Sequence, residues 1–195
     1  MHTNKTHRSW DEEQVQMSSF TELGELLHRE HFQMINWVCD LQIKIAGDVS
    51  EYEYGFDEED EDGALRSLKS SLDDVMFHHA FEEDMLFPLL NDHGERDLAR
   101  LLVDDHALIE PITCRLQAIT EEMLNRGIDR HLWAAFRKVS RYLVAEMLSH
   151  LVREEMVVVQ RLDVLLDSDT DRLLARQHVA ERAASCGIRQ ARAMH

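Results

Sequence analysis

The sequence predicts an all-α protein, and three observations carry that prediction. Only 7 Gly and 2 Pro break 195 residues. Apolar residues recur at intervals of three and four over long segments. The 9 Met add an adaptable, helix-favouring apolar residue to those segments. The length suits one domain large enough to bury a sizeable core.

Residues 1–17 read as an irregular arm with Trp10 as its large apolar anchor. Ser19 with Glu22 reads as a capping box. It opens a first helix that carries Phe20, Leu23, Leu26, Leu27, His31, Met34, Ile35, Val38, Leu41 and Ile45 at helical spacing and ends near Gly47. From Glu51 to Asp62 there are 8 acids in 12 residues, a solvated loop by composition and alternatively a weak cation-collecting or partner-docking segment.

A second helix starts at Ala64, with Leu65, Leu68, Leu72, Val75, Met76, Leu86 and Leu90 as its stripe, and stops at Asn91-Asp92-His93-Gly94. A third runs from about Glu95 to Asn125, and Pro111 inside it predicts a kink or a widened turn. Asp129 can cap a fourth helix that extends to about Asp167. The organisation is therefore an arm at 1–17, a four-helix unit at 18–167 with an acidic loop at 51–62, and a C-terminal helix and tail at 168–195. Ser168 to Asp171 reads as the cap of that last helix, which carries few large apolar residues and runs to about Ala184 before a basic, frayed tail from Cys186. Short connections at two of three junctions predict an up-down-up-down antiparallel bundle, with the last helix packed outside or used for a contact.

The net charge is −17, which argues against a nucleic-acid or anionic-membrane partner and favours cations as guests. There is no apolar run of membrane-spanning length and no signal-like N-terminus, so the expectation is a cytoplasmic protein. Cys39, Cys114 and Cys186 are far apart without CxxC spacing, which suggests neither a disulfide framework nor a thiolate site, and Cys39 and Cys114 read as small core residues.

The chemistry lies in HHAFEEDMLFPLL, residues 78–90. His78 and Glu82 are four apart, about 40° around a helix, so both side chains reach one point beside it. A shift of 72 residues places this stretch on HLVREEMVVVQRL, with His78 on His150 and Glu82 on Glu154. Two such helices, face to face, bring two imidazoles and two carboxylates together, as Glu-x-x-His pairs do in ferritin-like bundles. In an up-down-up-down bundle His31, mid-way along the first helix, and His106, early in the third, fall at the same level. The set His31, His78, Glu82, His106, His150 and Glu154 is all nitrogen and oxygen, which suits Fe, Mn or Zn. Two bridging carboxylates favour a pair of ions with a bridging oxygen and some positions left open.

The HREHFQM run, HHAFEEDMLFPLL, DDHALIEP and SHLVREE together resemble the hemerythrin-like HHE cation-binding family over roughly residues 20–165. The resemblance implies a four-helix bundle holding non-haem di-iron, with His31, His78, His106 and His150 as imidazole ligands and Glu82 and Glu154 as bridges. Oxygen-carrying hemerythrins have a further His four residues after the third-helix ligand, where this chain has Glu110. That departure argues against reversible O2 carriage, and the pattern is similar to long HHE proteins linked to iron handling, nitric-oxide stress and peroxide chemistry.

Other residues remain in play. His79 with Glu83 offers a competing register; His28 is a spare ligand or a partner behind the site, and Glu110 an extra ligand. Glu30, Glu83 and Glu155 are candidates to tune the site from behind the ligands. Trp37 and Phe81 pack or shape an access pocket, while His93, His131 and His178 read as loop or surface histidines. The function expected is binding of a small ligand such as O2, NO or peroxide at a di-iron pair, with two alternatives: an oxidoreductase acting on peroxide or NO, and an iron-dependent interaction module. The oligomeric state is open.

Overall fold

Long amphipathic segments with few breakers leave the chain little choice but helices, and every regular element is one. The computed structural model describes residues 20–46 and 60–193, with 185–193 as backbone only. Its order is α1 (Glu22–Ala46), α2 (Glu61–Phe81), a π-helical turn (Glu82–Leu86), α3 (Phe87–Asp92), α4 (Arg96–Arg126), α5 (Arg130–Val157), a 3-10 turn (Val159–Arg161), α6 (Leu162–Leu165) and α7 (Ser168–Ala193). No strand occurs among the described residues. The arm at 1–17, Ser19 and most of the acidic loop lie outside them.

Around the centre α4 packs on α5, α5 on α1, α2 on α4 and α1 on α2, while α7 lies against α1. Two apolar clusters form. One gathers Met34 to Ile45 of α1, Leu65 to Val75 of α2, Ile109 to Met123 of α4 and Trp133 to Leu151 of α5. The other gathers Leu23 and Leu27, Phe81 to Leu90, Ala99 and Leu102, and Val158 to Ala175. On α1, α2 and α4 the buried histidine lies between the residues given to one cluster and those given to the other, and α5 carries His150 and Glu154 where the first cluster gives way to the second. The fold thus seals a polar layer between two apolar ones.

Several expectations need correction. α2 begins at Glu61, so the last acids of the loop belong to a helix N-terminus, where the backbone dipole favours them. The widened turn sits before Pro88 and not at Pro111. Proline has no N–H for the carbonyl of Asp84 and its ring crowds that carbonyl. The chain responds with a π turn in which Phe87 N–H donates to Glu82 O. α4 carries Pro111 without a break. The fourth helix ends at Val157, and α7 is capped by Asp167, whose carboxylate accepts from the Asp169 and Thr170 amides at 2.9 Å. α7 also continues to Ala193, past the expected fraying point. Cys39 and Cys114 are exposed and not in the core. Asp129 caps α5 as expected, accepting from His131 N at 2.7 Å and Leu132 N at 2.8 Å.

The start of α1 is tied to α7. Asp171 accepts from the amides of Glu22 at 2.9 Å and Leu23 at 3.2 Å, and Thr21 Oγ1 accepts from Gly24 N at 3.1 Å. At the other end of α1, Arg137 Nε donates to Ile45 O at 3.0 Å. Both ends of the helix that carries His31 are therefore fixed by groups from other elements.

Adjacent leucines of α4 test the layering. Leu102 is 0% exposed and Leu101 44% exposed. Leu102→Ala should cost about 2–5 kcal/mol by loss of burial and cavity formation, while Leu101→Ala should stay within about 0.5 kcal/mol, as read by urea unfolding.

Candidate metal centre

The six residues singled out by spacing meet in the middle of the core. His31, His78, His106, His150, Glu82 and Glu154 are each 0–1% exposed. His31, His78, Glu82 and Glu154 form one group, and Glu82, His106, His150 and Glu154 another, with ligating atoms within 4.8 Å of one another in each. The two carboxylates belong to both.

The i,i+4 geometry gives His78 Nε2 to Glu82 Oε1 at 3.1 Å and His150 Nε2 to Glu154 Oε2 at 3.1 Å. Glu82 spans the groups with its two oxygens: Oε1 lies 3.8 Å from His31 Nε2 and Oε2 lies 3.5 Å from His106 Nε2. Glu154 Oε2 lies 3.5 Å from His31 Nε2. The π turn begins at Glu82, and such insertions are frequent at functional sites.

Behind each imidazole stands a carboxylate. Nδ1 of His31 meets Glu155 Oε1 at 2.8 Å, that of His78 meets Glu30 Oε2 at 3.0 Å, and that of His106 meets Glu83 Oε1 at 2.9 Å. His150 Nδ1 has only the looser Asp105 Oδ2 at 3.5 Å, and Arg153 pairs with that same carboxylate. A carboxylate at Nδ1 fixes the proton there and leaves a lone pair at Nε2.

Those lone pairs face each other. His31 Nε2 is 2.9 Å from His78 Nε2, and His106 Nε2 is 3.1 Å from His150 Nε2. Two lone pairs at that separation repel unless a proton or a cation lies beside both. Two nitrogen ligands at right angles on one ion, with bonds of about 2.1 Å, stand about 3.0 Å apart. Glu82 Oε2, both oxygens of Glu154 and both ring nitrogens of His79 are buried with no hydrogen-bond partner. Unsatisfied buried polar atoms are costly and rare, and here they cluster around the facing nitrogens. The donor set therefore fits a metal.

Without metal, protons fill part of that role. Burial works against a charged His31, but the hydrogen bond with Glu155 and the nearby Glu82 and Glu154 carboxylates outweigh it and raise its pKa to about 9. Burial likewise opposes a charged His78, yet the charge of Glu82 and the hydrogen bond to Glu30 hold its pKa well above the ordinary value. Burial would raise Glu82, and the His78 charge with the nearby His106 and His31 rings drives it well below the usual carboxylate range instead. Burial, reinforced by the charge of His106, pushes His79 well below the ordinary histidine value, so its ring is neutral.

Among the remaining candidates, His28 is exposed and meets Glu155 Oε2 at 2.8 Å, behind His31. Glu110 is half-buried and joins neither group, whereas His79 forms a further group with His106 and His150. His178, expected at the surface, is 1% exposed. Its Nε2 lies 2.9 Å from Glu30 Oε1, its ring packs on Phe81 at 4.3 Å, and Arg182 also pairs with Glu30. Glu30, held by His78, His178 and Arg182, is driven far below the usual carboxylate range despite burial. A cavity of about 390 Å³ between α1 and α7 is lined by Arg29, Glu30, Gln33, His178 and Arg182.

Sequence reasoning missed Asp105, His178 and Arg182. Asp105 precedes His106, but its use depends on how α4 meets α5; His178 and Arg182 sit four apart on one face of α7, a spacing visible in the sequence although its target on α1 was not.

An all-helical protein with a buried, paired histidine–carboxylate cluster is defined by these features. The chain matches the hemerythrin HHE cation binding domain over residues 21–162 and belongs to that family. No curated protein and no solved structure matches it. The His/Glu groups could hold a metal, in agreement with a cation-binding domain. No helix of the described residues is long and apolar enough to cross a membrane.

A pH test follows from His31. Its folded pKa of about 9 lies above the ordinary 6.5, so the stability it contributes is complete below pH 6.5 and is lost as pH rises through 9. Urea midpoints of metal-free protein should fall across that window, and Glu155→Gln should flatten the fall.

Proposed function

We propose that this is a non-haem di-iron protein that binds a small ligand, O2, NO or peroxide, for sensing, storage or scavenging. In this reading α1, α2 with its continuation through α3, α4 and α5 form the antiparallel up-down-up-down bundle. His31 and His78 hold one ion, His106 and His150 the other, and Glu82 and Glu154 bridge them. The observation that carries the reading is that both carboxylates belong to both histidine groups. Zinc or manganese suits the same donors, and iron is favoured because an all-nitrogen-and-oxygen set with shared carboxylates suits a redox-active pair. When bound, the metal pair supplies redox chemistry and an open position for a small ligand.

The chain's own residues do the rest. Glu30, Glu83 and Glu155 fix the tautomer and direction of three imidazoles. The two apolar clusters keep bulk water from the layer. The alternative, an oxidoreductase, would need a proton donor beside the open position and an electron source; of the two donor candidates Glu110 joins neither group, while His79 joins a further group with His106 and His150.

Anaerobic reconstitution with Fe(II) should give near two irons per chain and a new absorption band on exposure to air. Absence of stoichiometric iron, with helicity unchanged, would overturn the reading. Loading in weak buffer should also release protons, because nearby carboxylates favour the protonated forms of His31 and His78 when no metal is bound.

A further inference from the structure

His79 is a buried histidine that the assignment above leaves unused. It is 0% exposed, and both of its ring nitrogens lack a hydrogen-bond partner. A neutral imidazole in a packed core normally satisfies at least its N–H, so an orphaned one needs an explanation. Its neighbours supply one. The ring lies parallel to that of His106, centroids 3.8 Å apart with 8° between planes, and edge-on to His150 at 5.3 Å. One ligating atom from each of His79, His106 and His150 falls within 4.8 Å of the other two.

His78 and His79 are adjacent, so their side chains leave the helix about 100° apart. That divergence sends His78 to His31 and His79 to the opposite half of the layer. Glu82 lies between the two halves, with one oxygen toward each. The outer carboxylates treat the pair differently as well: Glu30 holds His78 Nδ1, while His79 has no carboxylate behind it. His79 is therefore free to turn either nitrogen toward an ion without breaking an existing bond.

We propose that His79 is a metal ligand, the third imidazole on the ion held by His106 and His150, so that the two halves of the site are unequal. This rests on the paired-metal reading. The half built from His31 and His78 has two imidazoles, and the other has three, with Glu82 and Glu154 common to both. The position that Glu110 leaves without an imidazole on α4 is filled from α2.

The test loads Fe(II) into the wild-type chain and into His79→Leu, which keeps apolar bulk in the core. Metal per chain, stepwise affinity and the number of imidazoles per iron by X-ray absorption are measured. The wild type should hold two irons and five imidazoles between them. His79→Leu should bind the first iron unchanged, lose the second by about tenfold or more in affinity, and show four imidazoles when fully loaded. Four imidazoles for two irons in the wild type would overturn the proposal and leave the paired site standing, as would a variant that loads both irons with wild-type affinities. Failure of the wild type to take up two irons would bring down the paired site and this ligand with it. The wild-type count decides the matter even where the variant does not fold.

Discussion

Ionisable side chains do not enter a hydrophobic core unless something compensates them, and this chain buries at least six in one layer. The compensation is built in two shells of opposite character. Carboxylates at Nδ1 fix the tautomers of His31, His78 and His106, and the facing Nε2 atoms converge at 2.9 Å and 3.1 Å. Such a layer is repulsive when empty and neutral, tolerable when protons occupy it, and best satisfied by cations. The pH dependence expected of the metal-free protein and the fit of the layer to cations both follow from that one constraint.

The helices are arranged to hold this layer still. Apolar clusters close it on both sides, so a side chain in the layer cannot swing away without opening a cavity. The π turn ahead of Pro88 resets the helix where Glu82 must reach both halves. α1, which brings His31 and Glu30, is anchored at its start by Asp171 of α7 and at its end by Arg137 of α5. α7 lies beyond the matched domain, yet His178 and Arg182 take the second oxygen of Glu30, so this added helix reaches the site through one carboxylate. A cavity lined in part by Glu30, His178 and Arg182 lies beside that contact.

Spacing made the centre legible. The four-residue interval between His78 and Glu82, and its repeat at His150 and Glu154, is a statement about helix geometry that needs no tertiary knowledge, and those pairs lie 3.1 Å apart. His31 and His106 followed from level-matching along long helices. Glu30, Glu83 and Glu155 were visible as sequence neighbours of those residues. The partnership between His178 and Glu30 was not, because α7 is only weakly apolar and its docking rests on Leu174, Ala175 and polar contacts of Asp171, His178 and Arg182. The exposure of Cys39 and Cys114 and the unbroken helix through Pro111 had the same origin: one-dimensional periodicity gives a face, and only packing says which part of that face is covered.

The most direct test of the account is the metal–metal separation in iron-loaded protein, read by X-ray absorption. Two carboxylates shared between both histidine groups predict a pair of ions about 3.5–4 Å apart or closer. A single iron per chain, or two irons without a metal–metal scattering shell, would contradict the claim that Glu82 and Glu154 join two ions in one site.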